Sequence, residues 1–262
     1  MSDLFSLEGK RAFVTGATHG LGMAMANGLA EAGAELIING TTPSRMDNAL
    51  EEYENAGYRA NGFIFDVTRE DKAEEYVAKI ENEIGPIDIL VNNAGIIKRE
   101  PLKDMKVEDF RRVIDVDLVG PFIMAQKVGK YMIQRGAGKI INICSMMSEL
   151  GRDSVGAYAS AKGGLKMLTR NLATEWARYN IQVNGIGPGY FATSQTAPLR
   201  KDGHPLHEFI KSRTPAGKWG DPSDLAGAAV FLASRASDFV NGHILYVDGG
   251  ILATIGKPAD ED

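Results

Sequence analysis

Apolar positions along the chain alternate between two periods. Short apolar runs at Arg11-Ala-Phe-Val-Thr15, Glu35-Leu-Ile-Ile-Asn39, Phe63 to Val67, Ile87 to Asn92, Lys139 to Cys144, Ile181 to Ile186 and Ile244 to Val247 read as short buried strands. Between them the spacing is helical: from the Gly20 region to about Ala32, Thr42-Pro43 through Asn55, Glu70 to Ile84, Glu108 to Gln134, Ala157 to Tyr179 and Pro222 to Ala233. Thr42 and Pro43 suit the cap and first turn of their helix, and Pro121 predicts a break or kink inside the 108–134 stretch. Leu165, Leu168, Leu172 and Trp176 form an apolar stripe, while Gly156, Gly163 and Gly164 weaken the same helix and imply close approach of a neighbour. Strand and helix in alternation predict an α/β, doubly wound parallel sheet with helices on both faces. Ser194 to Trp219 lacks a clear period and carries Pro198, Gly203, Pro205, Pro215 and Gly217, so residues 190–219 read as a mobile lid. Lys257 to Asp262 read as a frayed tail.

Composition narrows the classes. The 262 residues suit one domain, 1–262, because no linker-like segment divides them. A formal charge of -5 carries no footprint of nucleic-acid binding, so an anionic substrate needs a local basic patch. The single cysteine, Cys144, ends an apolar run and reads as a buried thiol. No segment has the apolar length of a membrane span or signal sequence, so a cytoplasmic protein is expected, with no membrane partner. No His, Cys and carboxylate cluster has metal-ligand spacing, and no metal is expected.

Chemistry concentrates at strand ends. Gly16, Gly20 and Gly22 follow the first strand and open a helix, a turn suited to a pyrophosphate against helix N-terminal amides, although a plain βα turn has the same look. The second strand ends Asn39-Gly40-Thr41-Thr42-Pro43-Ser44-Arg45 with no carboxylate before Asp47, which favours a 2′-phosphate and hence NADP(H), with NAD(H) possible. Asp66 either meets an adenine amino group or caps the next turn, and Asn92-Asn93-Ala94-Gly95 is a small-residue turn able to lie against a ribose. Tyr158 and Lys162 stand four apart, so on a helix they share a face. A lysine charge about 4 Å away stabilises a phenolate by roughly 4 kcal/mol before desolvation, enough to draw a tyrosine towards neutral pH. Such a pair alone is also common helix decoration.

Together, Thr15-Gly-x-x-x-Gly-x-Gly22, Asn92-Asn-Ala-Gly95, Ser145, Tyr158-x-x-x-Lys162 and Pro188-Gly189 resemble, in order and spacing, the short-chain dehydrogenase/reductase family over nearly the whole chain. The resemblance implies a Rossmann-like fold in which Tyr158 is the general acid-base, Lys162 lowers its pKa and holds the nicotinamide ribose, and Ser145 bonds the substrate oxygen. It implies cofactor contacts from Gly16, Thr18, His19, Gly20, Leu21 and Gly22; from Thr41, Thr42, Arg45, Asp66 and Val67; and from Asn92, Asn93, Ala94, Gly95, Pro188, Gly189, Tyr190 and Thr193. Where many relatives carry a catalytic-site asparagine this chain has Asp117, whose charge would offset that of Lys162. Runs at Asn93 to Arg99, Asn142 to Arg152, Gly187 to Tyr190 with Gln195 to Arg200, and Phe239 to Gly250 resemble the gluconate 5-dehydrogenase branch, also called 5-keto-D-gluconate reductases. They imply a small sugar-acid substrate, D-gluconate or its 5-keto form, and a homotetramer. Arg99, Arg152 and Arg200 are candidates for the carboxylate, with Glu149 and Tyr190 on the same wall, and each arginine is otherwise a solvated surface residue. The remaining readings are a relative acting on a uronate-derived ketosugar or deoxyketogluconate, and a silent nucleotide-binding protein.

Overall fold

The computed structural model describes residues 2–256, so the expected tail at Lys257 to Asp262 lies outside the described residues. Seven strands, β1 (Arg11–Val14), β2 (Glu35–Gly40), β3 (Ala60–Ile64), β4 (Ile89–Asn92), β5 (Gly138–Ile143), β6 (Ile181–Pro188) and β7 (Ile244–Val247), form one sheet. Their order is β3-β2-β1-β4-β5-β6-β7, and every pairing is parallel. Parallel strands need covered faces, which explains the unbroken apolar runs. Ala12, Val14, Leu36, Ile38, Ile89 and Val91 point to one layer, against Met25 and Leu29 of α1 (Gly20–Glu31), Met46 and Tyr53 of α2 (Pro43–Asn55) and Leu232 of α8 (Ala226–Ala233). Phe13, Ile37, Leu90 and Ile140 point to the other, against Val77 and Ile80 of α3 (Glu70–Glu83), Met124 and Val128 of α5 (Gly120–Arg135) and Leu172 of α6 (Gly156–Trp176). Two-residue alternation therefore splits each apolar run between two cores. Among the described residues no helix is long and apolar enough to cross a membrane.

Several boundaries differ from the expectation. β3 starts at Ala60 and stops at Ile64, before Phe65 and Asp66, although Phe65 N still donates to Gly40 O at 3.0 Å. It is an edge strand with mostly unburied residues, so its run is less apolar than that of a central strand. Thr42 takes the cap position of α2, but its side chain makes no capping bond. The 108–134 stretch is interrupted in its middle, just before Pro121. α4 (Val107–Ile114) passes into α5 through a π turn at Asp115–Val119, and Pro121, which lacks an amide hydrogen, follows at the second position of α5 where the regular ladder restarts. α6 ends at Trp176, followed by a 3₁₀ turn over Ala177–Tyr179 and Asn180 at φ 58°. The expected final helix is a 3₁₀ turn, Pro222–Leu225, capped by Asp221, leading into α8. The stretch read as a lid is folded: a 3₁₀ segment, Ser194–Arg200, precedes α7 (Pro205–Arg213).

The chain leaves β1 for β2 and β3 on one side and places β4 on the other. The sheet order therefore reverses between β1 and β4, opening a crevice beyond their carboxyl ends.

Candidate active site

A cleft of about 540 Å³ lies along that carboxyl edge. Its floor is the junction of the β1 and β4 loops. Thr15 Oγ1 accepts from the amides of Asn93 and Ala94 at 3.0 and 3.1 Å, and Asn93 Nδ2 donates to the carbonyls of Thr15 and Gly16, both at 3.0 Å. Gly16 sits at φ +64°, and a Cβ there would stand 2.9 Å from Ala94 Cα, so only glycine lets the loops touch. Gly20 is at φ +61° with nothing within 4 Å of the position a Cβ would take. His19 caps α1 in position only, its side chain making no capping bond, so the first-turn amides of Gly20, Leu21 and Gly22 are left for an anion. Thr18 and His19 line the cleft beside them, with Thr18 Oγ1 3.2 Å from His19 Nδ1.

At the β2 end, Thr41, Thr42 and Arg45 line the cleft, and Gly40 is packed by the Thr18 methyl, which would lie 2.6 Å from a Cβ. Burial and the Arg45 charge together hold the His19 imidazole below its ordinary pKa. Asp66 and Val67 complete this end. Of the two readings of Asp66, the turn cap is formed: Oδ1 accepts from Thr68 N at 3.0 Å and Thr68 Oγ1 at 2.8 Å, while Oδ2, on the cleft, accepts from Arg112 at 3.0 Å. Burial works against the Asp66 carboxylate, but these donors win and keep its pKa below the usual value. Arg112 also lines the cleft. No local pattern marked it, because its partner lies 46 residues away. Asn92 departs from its expected place. It is 2 % exposed, and Nδ2 donates to Asn142 Oδ1 at 2.9 Å and Pro121 O at 3.3 Å, making it a strut beneath the cleft rather than part of its wall.

Ser145, Tyr158, Lys162 and Asp117 all face the cleft. Ser145 follows β5 and caps a 3₁₀ turn, Met146–Ser148, accepting from Met147 N at 3.1 Å. Tyr158 and Lys162 lie in the first two turns of α6, as their spacing required. Lys162 Nζ lies towards the Tyr158 ring and is held by two further groups. It stands 5.5 Å from the Tyr158 ring centroid, donates to Ile143 O at 2.8 Å and lies 3.2 Å from Asp117 Oδ2. Asp117 is wholly buried within the π turn. Its Oδ1 accepts from Ile96 N at 2.8 Å, while Oδ2 has the ion pair but no well-aligned hydrogen bond. Burial pushes the Asp117 carboxyl up against the pull of Lys162, and burial pushes the Lys162 ammonium down while Asp117, Tyr158 and Cys144 together more than restore it. For Tyr158, burial pushes the phenol above its usual value. Lys162 and the Ser145 hydroxyl pull it down, and Asp117 pushes it further up. The drop towards neutrality that the four-residue spacing suggested is thus opposed first by burial of the phenol and then by Asp117, which shares the lysine charge. Burial likewise raises the Cys144 thiol to about 11, which leaves it unreactive.

The opposite wall carries Arg99, Arg152 and Tyr190, with Gly189 and Thr193 adjoining. Arg152 Nη1 donates to Tyr190 Oη at 3.1 Å, whereas burial and then the neighbouring Arg152 charge lower the pKa of Arg99. Two guanidiniums facing one space without a carboxylate between them invite an anion. Glu149 is not on this wall: Lys166 Nζ holds its two oxygens at 2.7 and 2.6 Å, and Tyr246 Oη donates to it as well. Arg200 is also elsewhere, its Nη2 donating to Thr193 O at 3.1 Å, and Pro188 is buried at the end of β6. Met146, Met147 and Phe191, unread in the sequence, form an apolar part of the lining. The two methionines were adjacent to Ser145 and could have been found by that alone.

The enoyl-(acyl carrier protein) reductase family model matches residues 16–252. The 2-dehydro-3-deoxy-D-gluconate 5-dehydrogenase of Formosa agariphila is 68% identical over 261 residues, covering 99% of each chain. The crystal structure of 2-keto-3-deoxy-D-gluconate dehydrogenase from Streptococcus agalactiae shares 57% identity at a TM-score of 0.85, covering 98% of both chains. A gluconate 5-dehydrogenase from Burkholderia cenocepacia, solved with NADP and tartrate, is 44% identical at a TM-score of 0.93, covering 97% of this chain and 99% of that one.

Proposed function

Because the chain belongs to the short-chain dehydrogenase/reductase family, we propose that it interconverts a secondary alcohol and a ketone at C5 of a sugar acid, using NADP(H) in preference to NAD(H). The observation that carries this reading is one cleft holding both the Ser145, Tyr158 and Lys162 cluster and the guanidinium pair of Arg99 and Arg152. Gly16, Gly20 and the α1 amides suit a pyrophosphate, Gly189 and Thr193 a nicotinamide carboxamide, and Lys162 its ribose. Thr41, Thr42 and Arg45, with no acid among them, suit a 2′-phosphate. The bound nicotinamide supplies or accepts the hydride. In reduction Tyr158 Oη gives its proton to the oxygen of the carbonyl being reduced, and in oxidation it takes that proton back. Ser145 Oγ donates a hydrogen bond to the same oxygen, fixing it beside the phenol. Arg99 and Arg152 take the carboxylate and so set which carbon lies at Tyr158.

Of the two substrate readings, 2-dehydro-3-deoxy-D-gluconate is favoured by the 68% and 57% identical relatives, and D-gluconate with 5-keto-D-gluconate by the 44% identical one. NADPH- and NADH-linked assays on 5-ketogluconate, deoxyketogluconates, 2-ketogluconate and fructose test both points. Much higher kcat/KM for the acids than for fructose, and higher for the NADP pair than for NAD(H), is expected. Equal or better efficiency with NAD(H) would overturn the cofactor preference, and preference for fructose would overturn the carboxylate. Tyr158→Phe is expected to lose most turnover, on the order of 10²- to 10⁴-fold, while titration still shows NADP+ binding. A fully active variant would refute the proton role. We also propose a cytoplasmic homotetramer, supported by apolar side chains left exposed on α5 and α6, Phe122 at 42% and Met167 at 50%. Light scattering at the mass of one chain would refute that assembly.

A further inference from the structure

The arginine wall continues in unbroken contact into the stretch beyond β6. The Arg152 guanidinium carbon lies 5.9 Å from the centroid of the Tyr190 ring whose hydroxyl it bonds. That ring meets the Trp219 indole edge to face, with centroids 5.7 Å apart at 63°. Trp219 is 9% exposed, and its Nε1–H donates to His207 Nδ1 at 3.0 Å, with the two rings within 15° of parallel. His207 lies in the first turn of α7. The backbone follows the same route: Gly220 N donates to Tyr190 O at 2.9 Å, and Ala192 N donates to Gly220 O at 2.8 Å.

An indole nitrogen can only donate, so His207 Nδ1 must be unprotonated, with its proton on Nε2. One hydrogen bond thereby fixes the indole to a helix, the indole fixes the phenol, and the phenol accepts one arm of Arg152. The remaining guanidinium N–H groups stay free to point at an anion. We infer that Trp219 and His207 are positioning residues for the substrate carboxylate, holding Arg152 through Tyr190 and docking α7 beside the cleft in the same act. This rests on the proposed role of the arginine pair.

Holding one long side chain in place is worth about three- to tenfold in affinity. Trp219→Phe and His207→Phe keep aromatic bulk and remove the hydrogen bond. Each is expected to raise KM for the sugar acid about three- to tenfold while kcat and the Kd of NADP+ measured without substrate stay unchanged. His207→Gln keeps an acceptor and is expected to restore most of the affinity, and the penalty is expected to vanish for a neutral polyol or ketose. If Trp219→Phe does not fold, the His207→Phe and His207→Gln pair carries the same comparison. Arg152→Gln separates the two levels. An unchanged KM in that variant would overturn the arginine reading and the inference with it. A raised KM there, with unchanged KM in both phenylalanine variants or with equal penalties on neutral and charged substrates, would overturn the inference alone.

Discussion

Asp117 and Lys162 are both buried, and their 3.2 Å pairing means that the field at Tyr158 is set by a charge difference rather than by a lone ammonium. Asp117→Asn keeps an acceptor for Ile96 N and removes the negative charge. Asp117 is among the groups that hold the phenol pKa up, so without its charge that pKa falls and the alkaline rise of the oxidation rate is expected to move to lower pH. An unmoved pH–rate profile would mean that the Asp117 carboxyl is neutral in the working protein. At this scale the sequence is legible where a motif fixes both residue and direction, as for Gly16, Ser145, Tyr158 and Lys162. It is illegible where only direction decides. Glu149 turns out to Lys166 and Tyr246, Arg200 back to the Thr193 carbonyl and Asn92 down to Asn142, and no spacing in the chain distinguishes those orientations from ones facing the cleft.

Helices that pack closely owe it to single glycines. A Cβ on Gly129 of α5 would stand 2.7 Å from the Trp176 ring of α6, so Gly129→Ala forces that ring aside. A loss of about 1–3 kcal/mol is expected, read as a lower urea midpoint with an unchanged m-value. Of the three glycines that weaken α6, Gly156 and Gly164 are held by Leu102 and Leu118, whereas Gly163 meets nothing within 4 Å. Gly163→Ala is therefore expected to gain up to about 1 kcal/mol from helix propensity. A loss of stability measured the same way would point to a second copy of the chain against that position. Most helix limits were readable because apolar stripes agree with their first turns, as with Pro43 opening α2 and Glu70 and Asp71 opening α3. The edge strand β3 and the π turn were not: one is too polar to stand out, and the other adds a residue without changing the pattern around it.

For the whole molecule, alternation of strand and helix was enough to give a parallel α/β sheet, but not the β1–β4 reversal that makes the cleft. Only the glycine turns after both strands hinted at where it lies. Since the proposed cofactor spans that crevice, NADP+ at a hundred times its Kd is expected to add about 2.7 kcal/mol to stability and to raise the unfolding temperature by more than an equal concentration of NAD+. A larger shift from NAD+ in differential scanning would contradict the reading of the β2 end. The π turn at Asp115–Val119 has a consequence of a different kind. It is one surplus residue that phases α4, whose Val113 packs on Ala157 and Ala161, against α5, whose Met124 and Val128 pack on the sheet. Deleting one residue there other than Asp117 would let the turn close into regular α-helix, so that α4 and α5 keep their packed faces while Asp117 loses the bulged backbone that aims it at Lys162, with every motif in the chain intact. In this stretch the gene must hold its length more strictly than its letters, and a frame-preserving loss of one codon would do more harm than most substitutions.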